Sequence, residues 1–288
     1  MEYVLTKTLS TLGAVTGLVG AGLATYGYRQ LTDFRLHEVH VPGPSLRILH
    51  ISDLHMIPGQ QAKIDFVHSL ASLKPDLVVN TGDNLSDPAA IPMVTAALTP
   101  LFDVPGVFVF GTNDYYEPNT VNPFYYLAGK RREVSHIETR WRDMRAVFVE
   151  HGWKDLTNTR DGLKINGVNV GFGGVDDPHH DLDEYPGPPL PDADFTIALL
   201  HAPEPRVLAQ FAADGYDLAL SGHTHGGQIC WPNGQAIVTN CGISPDRASG
   251  LSTFGSMHLH VSNGLGTSKF APIRLFCPPS ATLITVGD

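Results

Sequence analysis

The sequence predicts an α/β fold led by an N-terminal hydrophobic helix, and three observations carry that prediction. Short apolar runs alternate with segments of helical spacing from residue 47 to about residue 213, after which the chain is rich in strands and turns. Such alternation is the pattern of strands joined by crossover helices. Five of the apolar runs end in Asp, His or Asn. Finally, residues 9–28, LSTLGAVTGLVGAGLATYGY, carry no charge.

That uncharged stretch is long enough to span a bilayer as a helix. Gly13, Gly17, Gly20 and Gly22 suit a membrane helix better than a soluble one. A cleaved signal peptide and an ordinary N-terminal helix are the competing readings. No clean A-x-A site stands out, which favours an uncleaved anchor. Lys7 on one side and Arg29 and Arg35 on the other leave its orientation undetermined. The expected location is therefore the cell membrane, single-pass or peripheral, with the side open.

The other elements follow in order. A linker containing Pro42 and Pro44 leads to a strand at residues 47–52 and a helix at 64–73 that stops at Pro75. Strands are expected at 77–80, 107–110, 168–172, 195–200 and 218–220. Helices are expected at 91–101, 138–151 and 206–213. Residues 176–194, rich in Pro and acidic residues, read as a surface loop. Net charge is −10, from 29 acidic and 19 basic residues, which argues against a nucleic-acid surface built on charge alone. Cys230, Cys241 and Cys277 form no CxxC pair and read as three structural thiols, with one Cys230–Cys241 disulfide left open.

The chemistry lies where the strands end, because ligands of α/β sheets gather at the carboxyl ends of the strands. There the sequence places Ser52-Asp53-Leu54-His55, Gly82-Asp83-Asn84, Gly111-Thr112-Asn113-Asp114, His201, and Gly222-His223-Thr224-His225-Gly226-Gly227. Any one alone would be incidental; five in register are hard to explain as structure. Carboxylate, imidazole and amide oxygen suit Mn, Fe, Zn or Mg. No thiolate is among them, which disfavours a structural zinc site. The set is too large for one ion and right for two, which together can hold a phosphate and generate hydroxide.

These motifs resemble the ordered signature of the calcineurin-like metallophosphoesterases, from about Arg47 to the C-terminus, and most closely a membrane-anchored bacterial branch that includes enzymes acting on nucleotide-linked lipids. The resemblance implies a two-sheet sandwich flanked by helices. It divides the chain into an anchor, residues 1–30, and a metallophosphoesterase domain, residues 31–288. It also implies two divalent metals. Asp53, His55 and His225 would bind the first, Asp83 would bridge, and Asn113, His201 and His223 would bind the second.

One motif departs from the family. Where relatives read Gly-Asn-His-Asp or Gly-Asn-His-Glu, this chain reads Gly111-Thr112-Asn113-Asp114. A strict alignment makes Thr112 the ligand; Asn113 is preferred because a neutral hydroxyl is a poor donor. Asp114 would orient the Asn113 amide, and Thr112 should tolerate Val. The usual acid histidine is absent, and His179 could approach from another loop. The expected activity is hydrolysis of phosphodiesters or pyrophosphates, lipid-linked ones included. The alternative is a catalytically weak relative that holds metal or ligand without turnover. Tyr115, Tyr116, Phe124, Tyr125, Tyr126, Lys130, Arg131 and Arg132 form an aromatic and basic segment that could cap the cleft. Asn263-Gly264-Leu265-Gly266 could line it.

Overall fold

The apolar runs become the inner strands of two six-stranded sheets. The computed structural model describes residues 17–18, 20–119, 135 and 137–287. One sheet holds β1 (Arg35–Val41), β2 (Leu46–Ile51), β3 (Leu77–Asn80), β4 (Gly106–Phe108), β5 (Lys154–Asp155) and β12 (Ser280–Val286). Its order is β1-β12-β2-β3-β4-β5. The other holds β6 (Thr159–Ile165), β7 (Val168–Gly174), β8 (Phe195–Leu199), β9 (Leu218–Ser221), β10 (Gly250–Phe254) and β11 (Met257–Val261), in the order β10-β11-β9-β8-β7-β6. β2, β3, β4 and β5 run parallel, as do β7, β8, β9 and β11. All their carboxyl ends therefore point one way within each sheet.

Central strands are apolar on both faces because both faces are covered. In β2, Ile48 faces the layer between the sheets with Val79, Val107, Ile197, Leu220 and Ile284. Its neighbours Leu49 and Ile51 face outward, following the period of two. There they meet helices α1 (Gln61–Ser69), α2 (Ile91–Leu98) and α4 (Trp141–Glu150) through Val67, Val94, Leu98 and Phe148. The one-turn helix α3 (Thr112–Tyr115) precedes α4. On the outer face of the second sheet, Val207, Leu208 and Phe211 of α5 (Pro205–Ala213) pack on Ala198, Leu200 and Ala219. α1 continues as a 3-10 turn to Leu73 and ends at Lys74, whose left-handed backbone lies before Pro75.

Several boundaries differ from the sequence reading. The supposed linker carries β1, a parallel neighbour of β12. β6, whose residues TRDGLKI are mostly polar, was also not foreseen. Its antiparallel partner is β7, which covers only one side of an edge strand. The three thiols are free, with no Cys230–Cys241 disulfide; Cys230 donates to Gly226 O and Cys277 to His225 O, both at 3.1 Å.

At the N-terminus, residues 20–29 are helical, and residues 9–16 of the uncharged stretch lie outside the described residues. Among the described residues no helix is long and apolar enough to cross a membrane. The helix ends docked on the domain. Arg274 N–H donates to Gly27 O (3.2 Å), and the Tyr26 and Phe276 rings lie 5.5 Å apart. Residues 120–134, with Phe124, Tyr125, Tyr126 and the Lys130–Arg132 cluster, are likewise outside the described residues.

Candidate metal centre

Five of the seven candidate ligands share a backbone conformation that side-chain-bearing residues avoid. Asp53, His55, Asp83, His223 and His225 have φ of 50°, 42°, 54°, 69° and 52°. Each such residue costs of order 1–3 kcal/mol and persists only where its surroundings over-determine it. Here the turns are tied to one another. Asp53 N–H and His55 N–H donate to Gly82 O (2.8 Å) and Asp83 O (2.9 Å), and Gly222 N–H donates to His201 O (2.9 Å). Two glycines let the turns close. A Cβ on Gly111 would sit 2.5 Å from Asp83 Oδ1 and 2.6 Å from the His201 ring. One on Gly264, itself at φ 68°, would sit 2.5 Å from Asp53 Cβ. Leu265 N–H donates to Ser52 O (3.1 Å), so the Asn263–Gly266 loop does line the cleft.

Five of the seven candidate ligands form two overlapping groups, Asp53-His55-His225 and Asp53-Asp83-His201, each with donor atoms within 4.8 Å of one another. His55 Nε2 and His225 Nε2 lie 3.1 Å apart, with Asp53 Oδ1 3.9 Å and 3.7 Å from them. Asp53 belongs to both groups; Asp83 belongs to the second, with Oδ2 3.4 Å from His55 Nε2 of the first and Oδ1 3.5 Å from His201 Nε2.

Each ring is held by its other nitrogen. His201 Nδ1 meets Thr81 O (2.7 Å), and His225 Nδ1 meets Gly266 O (3.1 Å). A carbonyl can only accept, so His201 carries a proton at Nδ1, whereas His225 Nδ1 also faces the donating Arg274 guanidinium (3.3 Å). His55 Nδ1 contacts Ser86 Oγ (2.9 Å), and His223 hydrogen-bonds the backbone of Asn240. Among the described residues the buried Nε2 of His223 has no hydrogen-bond partner, and that of His201 faces Asp83 Oδ1 at 3.5 Å.

Burial shapes the charge states. It pushes the Asp53 carboxyl up to about 6, with Asp83 adding to the rise. It pushes His55 down to about 4 and His223 down to about 3. Burial also works against Asp83 and His201, but their mutual attraction outweighs it. Asp83 is held well below the usual carboxylate range and His201 well above the usual imidazole range. Converging carboxylates and imidazoles, with the buried His223 Nε2 lacking a partner among the described residues, are a donor set that fits borderline divalent cations.

In the altered third motif the two side chains turn to different partners. Asn113 turns toward Asp83: its N–H donates to Asp83 Oδ1 (2.8 Å) and its side-chain amide lies 2.6 Å from Oδ2. An amide flip would present its oxygen instead. Thr112 turns away, donating to Asp177 Oδ2 (2.5 Å). Asp114 does not orient the Asn113 amide. Its carboxylate accepts from the N–H groups of Asp83 (2.7 Å), Asn84 (2.7 Å) and Gly111 (3.0 Å), fixing the two turns that carry Asp83 and Asn113. Tyr115 OH donates to Asp176 (2.8 Å). The Asp176–His180 segment is thus fastened to the third motif, and the His179 ring lies 4.5 Å from that of His223.

Two buried cations escaped the sequence reading. The guanidinium of Arg274 donates to the carbonyls of Gly266 (2.6 Å), Asn263 (2.7 Å) and Cys277 (3.2 Å) behind His225. Lys63 Nζ donates to Leu54 O (2.5 Å), between the ligands Asp53 and His55. Nothing local in the sequence marks either residue.

Fold and site define a two-sheet α/β sandwich with a histidine–carboxylate cluster able to hold metal ions at the strand ends. The chain belongs to the calcineurin-like phosphoesterases, whose family model matches residues 46–227. YpbG of Bacillus subtilis, an uncharacterized protein, is 30% identical over 84% of this chain and 82% of its own length. The UDP-2,3-diacylglucosamine pyrophosphatase LpxG of Chlamydia trachomatis is 29% identical over 83% of each chain. The phosphodiesterase YaeI of Escherichia coli is 23% identical over 97% of this chain and 96% of its own.

Proposed function

We propose that this protein hydrolyses phosphodiesters or pyrophosphates with two divalent cations, on a substrate that resides at a membrane. The observation that carries the reading is the Asp83 carboxylate set within 3.5 Å of both His55 and His201, beside two groups of possible ligands that overlap at Asp53. Asp53, His55 and His225 would hold one cation; Asn113, His201 and His223 would hold the other; Asp83 would be shared. When bound, the pair supplies a Lewis acid for the phosphoryl oxygen and a hydroxide source at neutral pH.

The chain's own residues do the rest. Thr81 O and Gly266 O orient the His201 and His225 rings, and Asp114 keeps Asp83 and Asn113 at the same crevice. His179, held against His223 by the Thr112–Asp177 and Tyr115–Asp176 bonds, is positioned to give a proton to the leaving oxygen. It takes the place of the histidine the third motif lacks. The relationship to LpxG and YaeI supports the pyrophosphate and diester classes, and the uncharged residues 9–28 support placement at the membrane.

The test is an activity screen of the purified full chain with Mn, Mg, Fe and Zn over aryl phosphomonoesters, aryl phosphodiesters and nucleotide-linked lipid pyrophosphates. Metal-dependent turnover of diesters or pyrophosphates is expected. Bound metal without turnover of any substrate would favour the non-catalytic relative instead.

A further inference from the structure

Two histidines are buried between the sheets, in a layer otherwise dominated by aliphatic side chains. His50 lies on β2 of one sheet and His260 on β11 of the other, and both are shielded from solvent. Their Nδ1 atoms are 2.9 Å apart. His50 Nε2 is 2.9 Å from Thr81 Oγ1, Thr81 Oγ1 donates to Ser52 Oγ (2.7 Å), and Ser52 Oγ donates to Asp53 Oδ2 (2.6 Å).

The proton directions follow from the far end. A carboxylate only accepts, so Ser52 must donate to Asp53. The Thr81 hydroxyl has one proton and gives it to Ser52, so it accepts from His50 Nε2–H. Burial keeps both rings neutral, holding His50 well below the usual imidazole range and His260 down to about 3. A neutral His50 protonated at Nε2 has only a lone pair at Nδ1, so His260 Nδ1–H is the donor there. Every link then points toward the metal centre. The chain ends on Asp53 Oδ2; His223 N–H also donates to Oδ2 (3.1 Å) and Oδ1 (3.2 Å), and Oδ1 faces His55 and His225.

We propose that His260 and His50 are positioning residues that, through Thr81 and Ser52, fix the Asp53 carboxylate and so set the affinity of the site formed by Asp53, His55 and His225. This rests on the reading of that site as a metal centre. Polar groups buried in an apolar layer are costly unless hydrogen-bonded. A purely structural pair would need one bond between the rings, yet here the bonds continue in one sense to a ligand. Partners of metal ligands typically change affinity or activity by 10–100-fold.

The experiment measures Mn²⁺ binding to the full chain by equilibrium dialysis for wild type, His260→Phe, His260→Asn and Thr81→Val. Thermal midpoints in chelator and steady-state kinetics at varied Mn²⁺ accompany it. Asn can place a donor where His260 Nδ1–H is; Phe cannot. Val keeps the shape of Thr81 and both histidines but breaks the chain, so it reads the same link should His260→Phe fail to fold. We expect His260→Phe and Thr81→Val to weaken Mn²⁺ affinity by about 10–100-fold, and His260→Asn to recover most of it. For His260→Phe, kcat at saturating Mn²⁺ should stay close to wild type. A lower thermal midpoint with unchanged Mn²⁺ affinity overturns the proposal, because the pair would then only stabilise the fold. Equal loss in His260→Asn and His260→Phe also overturns it. If wild type itself binds no Mn²⁺, the metal-centre reading falls and this proposal with it.

Discussion

Replacing Thr112 by Val tests whether His179 is the leaving-group acid. The side chains have the same shape, so the change removes only the hydroxyl that donates to Asp177 Oδ2 at 2.5 Å. Asp177 is fully buried and also accepts from His179 N–H (3.0 Å). A hydrogen bond to a charged group contributes about 1.5–3 kcal/mol. If that energy is what keeps the Asp176–His180 segment in place, the reactive geometry loses roughly 10–100-fold in population, at about 1.4 kcal/mol per tenfold. The loss should depend on the leaving group, because a proton matters most to a basic oxygen. The assay compares kcat/KM for p-nitrophenyl and unsubstituted phenyl phosphodiesters in wild type, Thr112→Val and Thr112→Ser. Thr112→Val should fall about 10–100-fold on the phenyl ester and much less on the nitrophenyl ester, and Thr112→Ser should retain most activity. Equal, small effects on both esters would refute the coupling of Thr112 to His179. This reverses the tolerance of Val expected from sequence, where Thr112 had no assigned partner.

Asp83→Ala should lose both metal ions in elemental analysis, and Asn113→Ala only one; full occupancy in Asp83→Ala would remove the bridging role. Asp114→Asn sets an NH₂ against at least one of the buried N–H groups of Asp83, Asn84 and Gly111. Leaving a buried donor unmet costs about 1–3 kcal/mol, at roughly 2–4 °C of melting temperature per kcal/mol; an unchanged melting temperature would contradict the geometry. Burial, and then Arg274, push the Lys63 ammonium down to about 7 from 10.5. Below about pH 7 the folded state carries that charge at full cost. From pH 7 towards 10.5 the unfolded chain holds the proton more tightly, so stability should rise with pH across that window. Lys63→Met should abolish this rise in urea-unfolding midpoints, and an identical slope would count against it. If residues 9–28 hold the protein at a membrane, full-length protein should sediment with membranes and a chain starting at Asp33 should not; full-length protein that stays soluble without detergent would refute the anchor.

The parts legible in sequence were those with a local signature. β2, β3, β8 and β9 are almost wholly buried and read as mostly apolar runs, so their ends and the turns that follow could be placed. β1, RLHEVHV, could not: it is an edge strand, mostly exposed, whose only partner lies near residue 283. The positive φ of Asp53, His55, Asp83, His223 and His225 was equally hidden, because it is imposed by neighbouring turns rather than by residue type. Asp114 was named for the right motif with the wrong partner, since adjacency in sequence suggested Asn113 and the fold supplied three backbone N–H groups. Arg274 and His260 act only through groups brought close by the fold, and no spacing rule reaches them.

The position of β12 bears on how the molecule is made. β12 lies between β1 and β2, and β2 leads directly into Asp53 and His55. On a ribosome the strand that presents these ligands is synthesised more than 200 residues before the strand that must sit beside it. At about 5–20 residues per second, that is a wait of roughly 10–50 s with a hydrophobic strand edge open. Pairings so distant in sequence also close slowly. The nascent chain can hold its second sheet, β6 to β11, before its first is complete. Metal capture should therefore be a late event in biogenesis, and the interval before it is when the growing polypeptide is most exposed to aggregation and most in need of a chaperone.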